Sequence, residues 1–135
     1  MRQNPKWARI TGLVIHILIG CLLIFAGGFK ILSTPTPEVI EEFKKINLVD
    51  EIKLIGVGEL VAGLLLIIPV TMSLGTLVTS GFWGGVICIH MSQHDGYIVW
   101  SVFLLLTWVG AYLRNPATLA SFFQSTSASA VSSDA

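Results

Sequence analysis

Charge is scarce in this chain. Lys, Arg, Asp and Glu together make up 12% of its 135 residues, and eight basic side chains balance eight acidic ones. That thin, balanced supply excludes a basic nucleic-acid footprint and a long disordered polyelectrolyte. Cysteine is equally sparse, with Cys21 and Cys88 the only two. No CxxC, haem-attachment or zinc spacing is present, so they read as small apolar residues and no metal is expected. A metal would require His16, Glu59 and His90 to converge. Also missing are a phosphate-cradling glycine loop, a nucleophile elbow and the two-residue alternation of a transmembrane barrel.

What the chain has is apolar length. Hydrophobic residues make up 53% of it, and four apolar runs cover 10–32, 54–69, 74–91 and 97–113. Each is about 17 to 23 residues, and roughly 20 helical residues cross a hydrocarbon core of about 30 Å. The expectation is an all-α fold: a four-helix transmembrane bundle over 1–116, followed by a polar, disordered tail over 117–135. The motif LIGC at 18–21 has the look of a lipoprotein cleavage box. The apolar run continues past Cys21, however, which favours an uncleaved spanning helix.

Between the first two runs lies STPTPEVIEEFKKINLVDEIK. Thr36 before Pro37 is a good helix start, Glu38, Glu41 and Glu42 load the first turns, and Lys44 and Lys45 load the end. Val39, Ile40, Phe43 and Ile46 share a face, so the segment reads as a short amphipathic helix on the membrane surface. Orientation is nearly balanced. Arg2, Lys6, Arg9 and Arg114 lie on one side, against Lys30, Lys44, Lys45 and Lys53 on the other. Three of the first set precede the first helix, so both termini are placed on the cytoplasmic side of a bacterial inner membrane.

Glu59 is the residue that does not belong in an apolar run. It lies six residues beyond Lys53, roughly 9 Å below the surface at about 1.5 Å per residue. Lys30 and His90 reach the same leaflet from two other helices. Small residues share their faces: Gly12, His16, Gly20, Gly27 and Lys30 on the first helix, and Gly56, Glu59 and Gly63 on the second, as helices that pack closely require. On the third long helix His90 shares a stripe with Thr76, Thr79 and Trp83, while Gly81, Gly85 and Cys88 form a separate face read as a packing face. Tyr97, Trp100, Thr107 and Trp108 form a stripe on the last helix. Trp108 lies too deep for an interfacial anchor, so it packs the core or lines a cavity. Arg114 reads as an anchor to lipid headgroups, His16 as a neutral histidine bonded to a backbone or hydroxyl group, and His94 and Asp95 as a solvated turn.

The elements GGFK, LIGVGELVAGLLLIIP, SLGTLVTSGFWGGVICIH and WVGAYLRNP resemble the DoxX-like family of small four-helix membrane proteins over residues 10–116. Lys30, Glu59, the pair Gly84 and Gly85 with His90, and Arg114 before Pro116 stand at that family's characteristic positions. The resemblance implies the bundle and little about activity. Relatives include a subunit of a thiosulfate:quinone oxidoreductase, membrane partners of redox enzymes, and receptor chaperones. Two classes stay open. In one, Lys30, Glu59, His90, Trp83 and Trp100 form a pocket for a quinone in a redox subunit. In the other, the same charged group is a structural clamp in an accessory or assembly partner without chemistry of its own, working with a membrane or peripheral redox protein or as a homo-oligomer. Transport of a small solute is a third expectation, and nucleic acid is not a partner.

Overall fold

A computed structural model describes residues 4–118. Five helices are complete within the described residues: α1 (Lys6–Leu32), α2 (Pro37–Lys45), α3 (Ile52–Ile67), α4 (Met72–Ser92) and α5 (Ile98–Arg114). No strand occurs among the described residues. The expected tail from residue 119 onward lies outside them. The four long helices fall on the four apolar runs, and α2 on the capped amphipathic segment. Helices α1 and α4 are long and apolar enough to cross a membrane. At 16 and 17 residues, α3 and α5 are shorter.

The long helices form a ring in which α1 packs against α3 and α5, and α4 packs against the same two. Helices α1 and α4 are therefore diagonal to each other. Glycine sets the closest approach. A Cβ placed on Gly27 would lie 2.5 Å from the Gly56 carbonyl oxygen, and one on Gly63 would lie 2.7 Å from that of Gly20. Glycines seven residues apart on each of two antiparallel helices thus meet in pairs, so α1 and α3 touch backbone to backbone. Gly75 brings α4 onto the backbone of Leu65 in the same way, and Gly12 brings α1 onto Gly110 of α5.

Burial is inverted relative to a water-soluble bundle. His16, Glu59, Thr76, Thr79 and Thr107 are buried, whereas Leu18, Phe25, Leu54, Leu77 and Leu105 are exposed. The interior holds the polar groups and the outside is apolar, an arrangement that lipid rather than water favours. The apolar core is small, with Ile19, Leu23, Ala62, Leu66 and Trp83 at its centre.

The glycine face of α4, read as a packing face, finds no partner among the described residues. Thr76, Thr79 and Trp83 point into the bundle, while a Cβ on Gly81, Gly84 or Gly85 would meet nothing within 4 Å. Cys21 and Cys88 are free and exposed. Small residues permit close packing on either face, and here Gly81, Gly84 and Gly85, unlike Gly75, have no partner among the described residues. On α2, Val39, Ile40, Phe43 and Ile46 are half-buried and the charged residues are exposed. Asn47, at φ 57°, ends the helix with Leu48 N–H donating to the Phe43 carbonyl at 2.9 Å and Asn47 N–H to that of Lys44 at 3.1 Å, the paired bonds of a left-handed C-terminal cap.

Candidate functional site

Lys30 and Glu59 meet across the α1–α3 seam. The Lys30 ammonium donates to Oε1 at 2.6 Å and to Oε2 at 2.7 Å. Its neighbours explain the approach: with only hydrogen at Gly27 and Gly56, the two helix backbones come close enough for a lysine to span both carboxylate oxygens. The Glu59 side chain is 6% exposed and that of Lys30 is 20% exposed, so the carboxylate is enclosed while the ammonium retains a path to the surface. A buried carboxylate that is paired and accepts two charge-assisted hydrogen bonds satisfies the main requirement for keeping such a group inside a bundle. The same pair ties the last turn of α1 to the second turn of α3.

His90 makes its contacts on the other side of the ring. Its Nδ1 lies 3.3 Å from Asp95 Oδ2, and its ring stacks on Trp100 at 5.2 Å between centroids. The chain arranges this by closing α4 with a left-handed residue, His94 at φ 56°. Asp95 N–H then returns to the His90 carbonyl at 2.9 Å, and His94 N–H to that of Met91 at 3.2 Å. The turn therefore carries Asp95 back over His90. The Gly96 amide, donating to Asp95 Oδ1 at 2.7 Å, holds the carboxyl below its usual range, and His90 adds to that effect. SQHDG is the solvated turn expected of it, with the Asp95 side chain 70% exposed; the contact of Asp95 with His90 is what that reading lacked. The signal is the left-handed cap, which backbone geometry reveals and composition does not.

Trp83 and Trp100 do come together, at 5.9 Å between centroids, with Phe103 stacked on Trp83 at 5.1 Å and Phe82 edge-on at 5.3 Å. Three aromatic rings packed at these separations form a continuous offset stack. Gly81, Gly84 and Gly85 do not line it, since they face outward. The Trp83 indole N–H is buried without an acceptor among the described residues. Trp108 is half-buried.

A second polar cluster, at the opposite end of the bundle, joins residues that the sequence reading kept apart. His16, fully buried on α1, has Nε2 at 2.9 Å from the Thr107 carbonyl and Nδ1 at 2.9 Å from Arg114 Nη1. A carbonyl only accepts and a guanidinium only donates, so Nε2 carries the proton and Nδ1 the lone pair. His16 is thereby the neutral, backbone-bonded histidine that was expected. Gly110 makes room for it, because a Cβ there would collide with the imidazole. Arg114 is more than a headgroup anchor. Its Nη1 also donates to the Leu66 carbonyl at 3.0 Å, one of the carbonyls left unpaired where α3 ends. One guanidinium therefore ties together α1, α3 and α5. Thr71 serves α3 similarly, donating to the Leu65 carbonyl at 2.9 Å.

Among the described residues no three of His, Cys, Asp and Glu gather as metal ligands. The titratable groups instead pair separately: Lys30 with Glu59 across the α1–α3 seam, Arg114 with His16 across the α1–α5 seam, and His90 with Asp95 within the turn that closes α4. No family model, curated protein or solved structure matches this chain.

Proposed function

We propose that the protein is a four-helix transmembrane bundle of the DoxX-like kind, with both termini cytoplasmic, acting as an accessory or assembly partner of a membrane-associated complex without chemistry of its own. The observation that carries this reading is the closed Lys30–Glu59 pair. Its ammonium contacts both carboxylate oxygens at 2.6 and 2.7 Å, which is what a helix clamp needs. A carboxylate serving as a proton acceptor needs a lone pair open to its substrate, whereas the Glu59 side chain is enclosed, at 6% exposure. His90, the other candidate proton carrier, is turned toward Asp95 and Trp100. The apolar exterior of all four long helices supports the spanning bundle. The outward Gly81, Gly84 and Gly85 support a protein partner, since close approach of another helix backbone is what such a surface favours in lipid.

A photo-crosslinking residue at position 85, in the full chain in its native membrane, tests the proposal. The reading expects a discrete adduct with a membrane protein, and lipid adducts alone contradict it.

A second reading, the quinone-linked redox subunit, has one specific observation in its favour. The buried Trp83 N–H has no acceptor among the described residues, and a buried donor left unpaired costs about 1–3 kcal/mol. A quinone oxygen is an acceptor that the residues present would fit, with Trp83 as donor and Trp100 or Phe103 as stacking partner. A quinone analogue that quenches the tryptophan fluorescence saturably, and fails to do so in Trp83→Phe, would favour this reading over the clamp.

A further inference from the structure

At the end of the bundle opposite the Lys30–Glu59 pair, Lys6, Arg9, Ile10, Leu13, Pro69 and Arg114 line an open cleft of about 390 Å³. Lys6, Arg9, Ile10 and Leu13 follow the spacing of a single helix face, so α1 presents two cations at the mouth and two apolar side chains along the wall. Pro69, from the α3–α4 connection, forms part of the apolar lining. Arg114 contributes the third cation from the end of α5.

Three features make this more than a scatter of surface charge. Arg114 is held in place, because its Nη1 is committed to His16 and the Leu66 carbonyl. Its Nη2 and Nε have no partner among the described residues, which leaves part of the donor fork for a ligand. Lys6 and Arg9 have no acidic partner among the described residues. Nor do the described residues place an acid at this end. Every carboxylate in residues 4–118 lies between Glu38 and Glu59 or at Asp95, all toward the other end of the bundle.

We infer that this cleft binds an anionic phospholipid, its phosphate across Lys6, Arg9 and Arg114 and an acyl chain along Ile10, Leu13 and Pro69. The chemistry follows from the lining. Three converging cations without a counter-charge select a phosphate. A continuous apolar wall beside them selects a phosphate that carries a hydrocarbon chain. The inference rests on the membrane-spanning reading, which places this end of α1 at the bilayer interface. A neutral zwitterionic lipid brings its own ammonium to a site already rich in cations, so the cleft discriminates by net charge.

The full chain, reconstituted in nanodiscs of phosphatidylcholine mixed equally with phosphatidylglycerol, is released into mild detergent, and its retained lipid is identified by native mass spectrometry. Wild type is expected to retain phosphatidylglycerol in preference to phosphatidylcholine. Lys6→Gln with Arg9→Gln should weaken that retention about 30-fold at unchanged helix content by circular dichroism, as both side chains are exposed. Lys44→Gln with Lys45→Gln, which removes the same charge at the other end, should leave it unchanged. Equal retention of the two lipids, or an equal loss in both double variants, overturns the inference. Displacement of the lipid by inorganic phosphate alone overturns it in favour of a free-anion site. A chain that fails to enter these nanodiscs at all overturns the membrane-spanning reading beneath it.

Discussion

Lys30 of α1 grips both carboxylate oxygens of Glu59 of α3, at 2.6 and 2.7 Å, beside a contact where Gly27 and Gly56 let the two backbones touch. Sterics and charge act here on the same seam. The glycines permit the approach and the ion pair fixes the register at one end of it.

The pair should show strong thermodynamic coupling. Glu59→Gln leaves the Lys30 ammonium without its counter-charge and should cost about 2 kcal/mol. That is less than the roughly 3–5 kcal/mol for breaking a fully buried pair, because the Lys30 side chain is 20% exposed and solvent screens it. Lys30→Met combined with Glu59→Leu should recover most of the loss, since an apolar pair removes both desolvated charges together. Thermal unfolding of all variants in detergent measures the coupling. Additive losses would remove the clamp from the account.

Glycines on the two kinds of face should respond in opposite directions. Gly27→Ala puts a Cβ 2.5 Å from the Gly56 carbonyl oxygen. Helices α1 and α3 must then separate, at about 1–3 kcal/mol. Gly84→Ala enters open space and should stabilise the isolated chain by up to about 1 kcal/mol through helix propensity. Melting temperatures of the two variants test the contrast.

Arg114→Gln should destabilise the bundle by about 2 kcal/mol, because His16 Nδ1 and the Leu66 carbonyl lose the charged donor that satisfies them. A residue that only anchored a headgroup would give a much smaller loss in detergent. Hydrogen exchange localises the effect: the last turn of α3 should lose protection along with the end of α5.

The α4–α5 turn should loosen in acid. The folded-state pKa of Asp95 is depressed, first by the Gly96 amide and then by His90. The stabilisation it contributes is therefore present above the ordinary aspartate pKa of about 3.9 and is lost as pH falls through the lower, folded value. Amide protection at residues 93–97, measured relative to the intrinsic exchange rate at each pH, should fall in that window, and Asp95→Asn should abolish the pH dependence.

These residues also mark where the sequence is legible. Helix positions follow directly from apolar length and from the Thr36–Pro37 start of α2. The approach of Lys30 and Glu59 follows from angular position, because their glycine neighbours point the same way. The orientation of α4 does not follow. In a helix that is apolar on the outside and small or hydroxylic on the inside, hydrophobic periodicity is nearly flat, and Gly81, Gly84 and Gly85 suit an inner or an outer face equally well. The partner of His90 is set by the left-handed turn at His94. Similarly, the role of Arg114 depends on the unpaired Leu66 carbonyl, which exists only once α3 has ended where it does.

Crosslinking from position 85 in the Lys30→Met, Glu59→Leu background tests the central claim most directly, since it removes every titratable atom of the clamp while keeping an apolar contact between α1 and α3. If the pair only holds helices, the protein adduct forms at close to the wild-type yield. A variant that folds, as judged by helix content and melting temperature, yet loses that adduct would contradict the account and assign the Lys30–Glu59 charges a role in function itself.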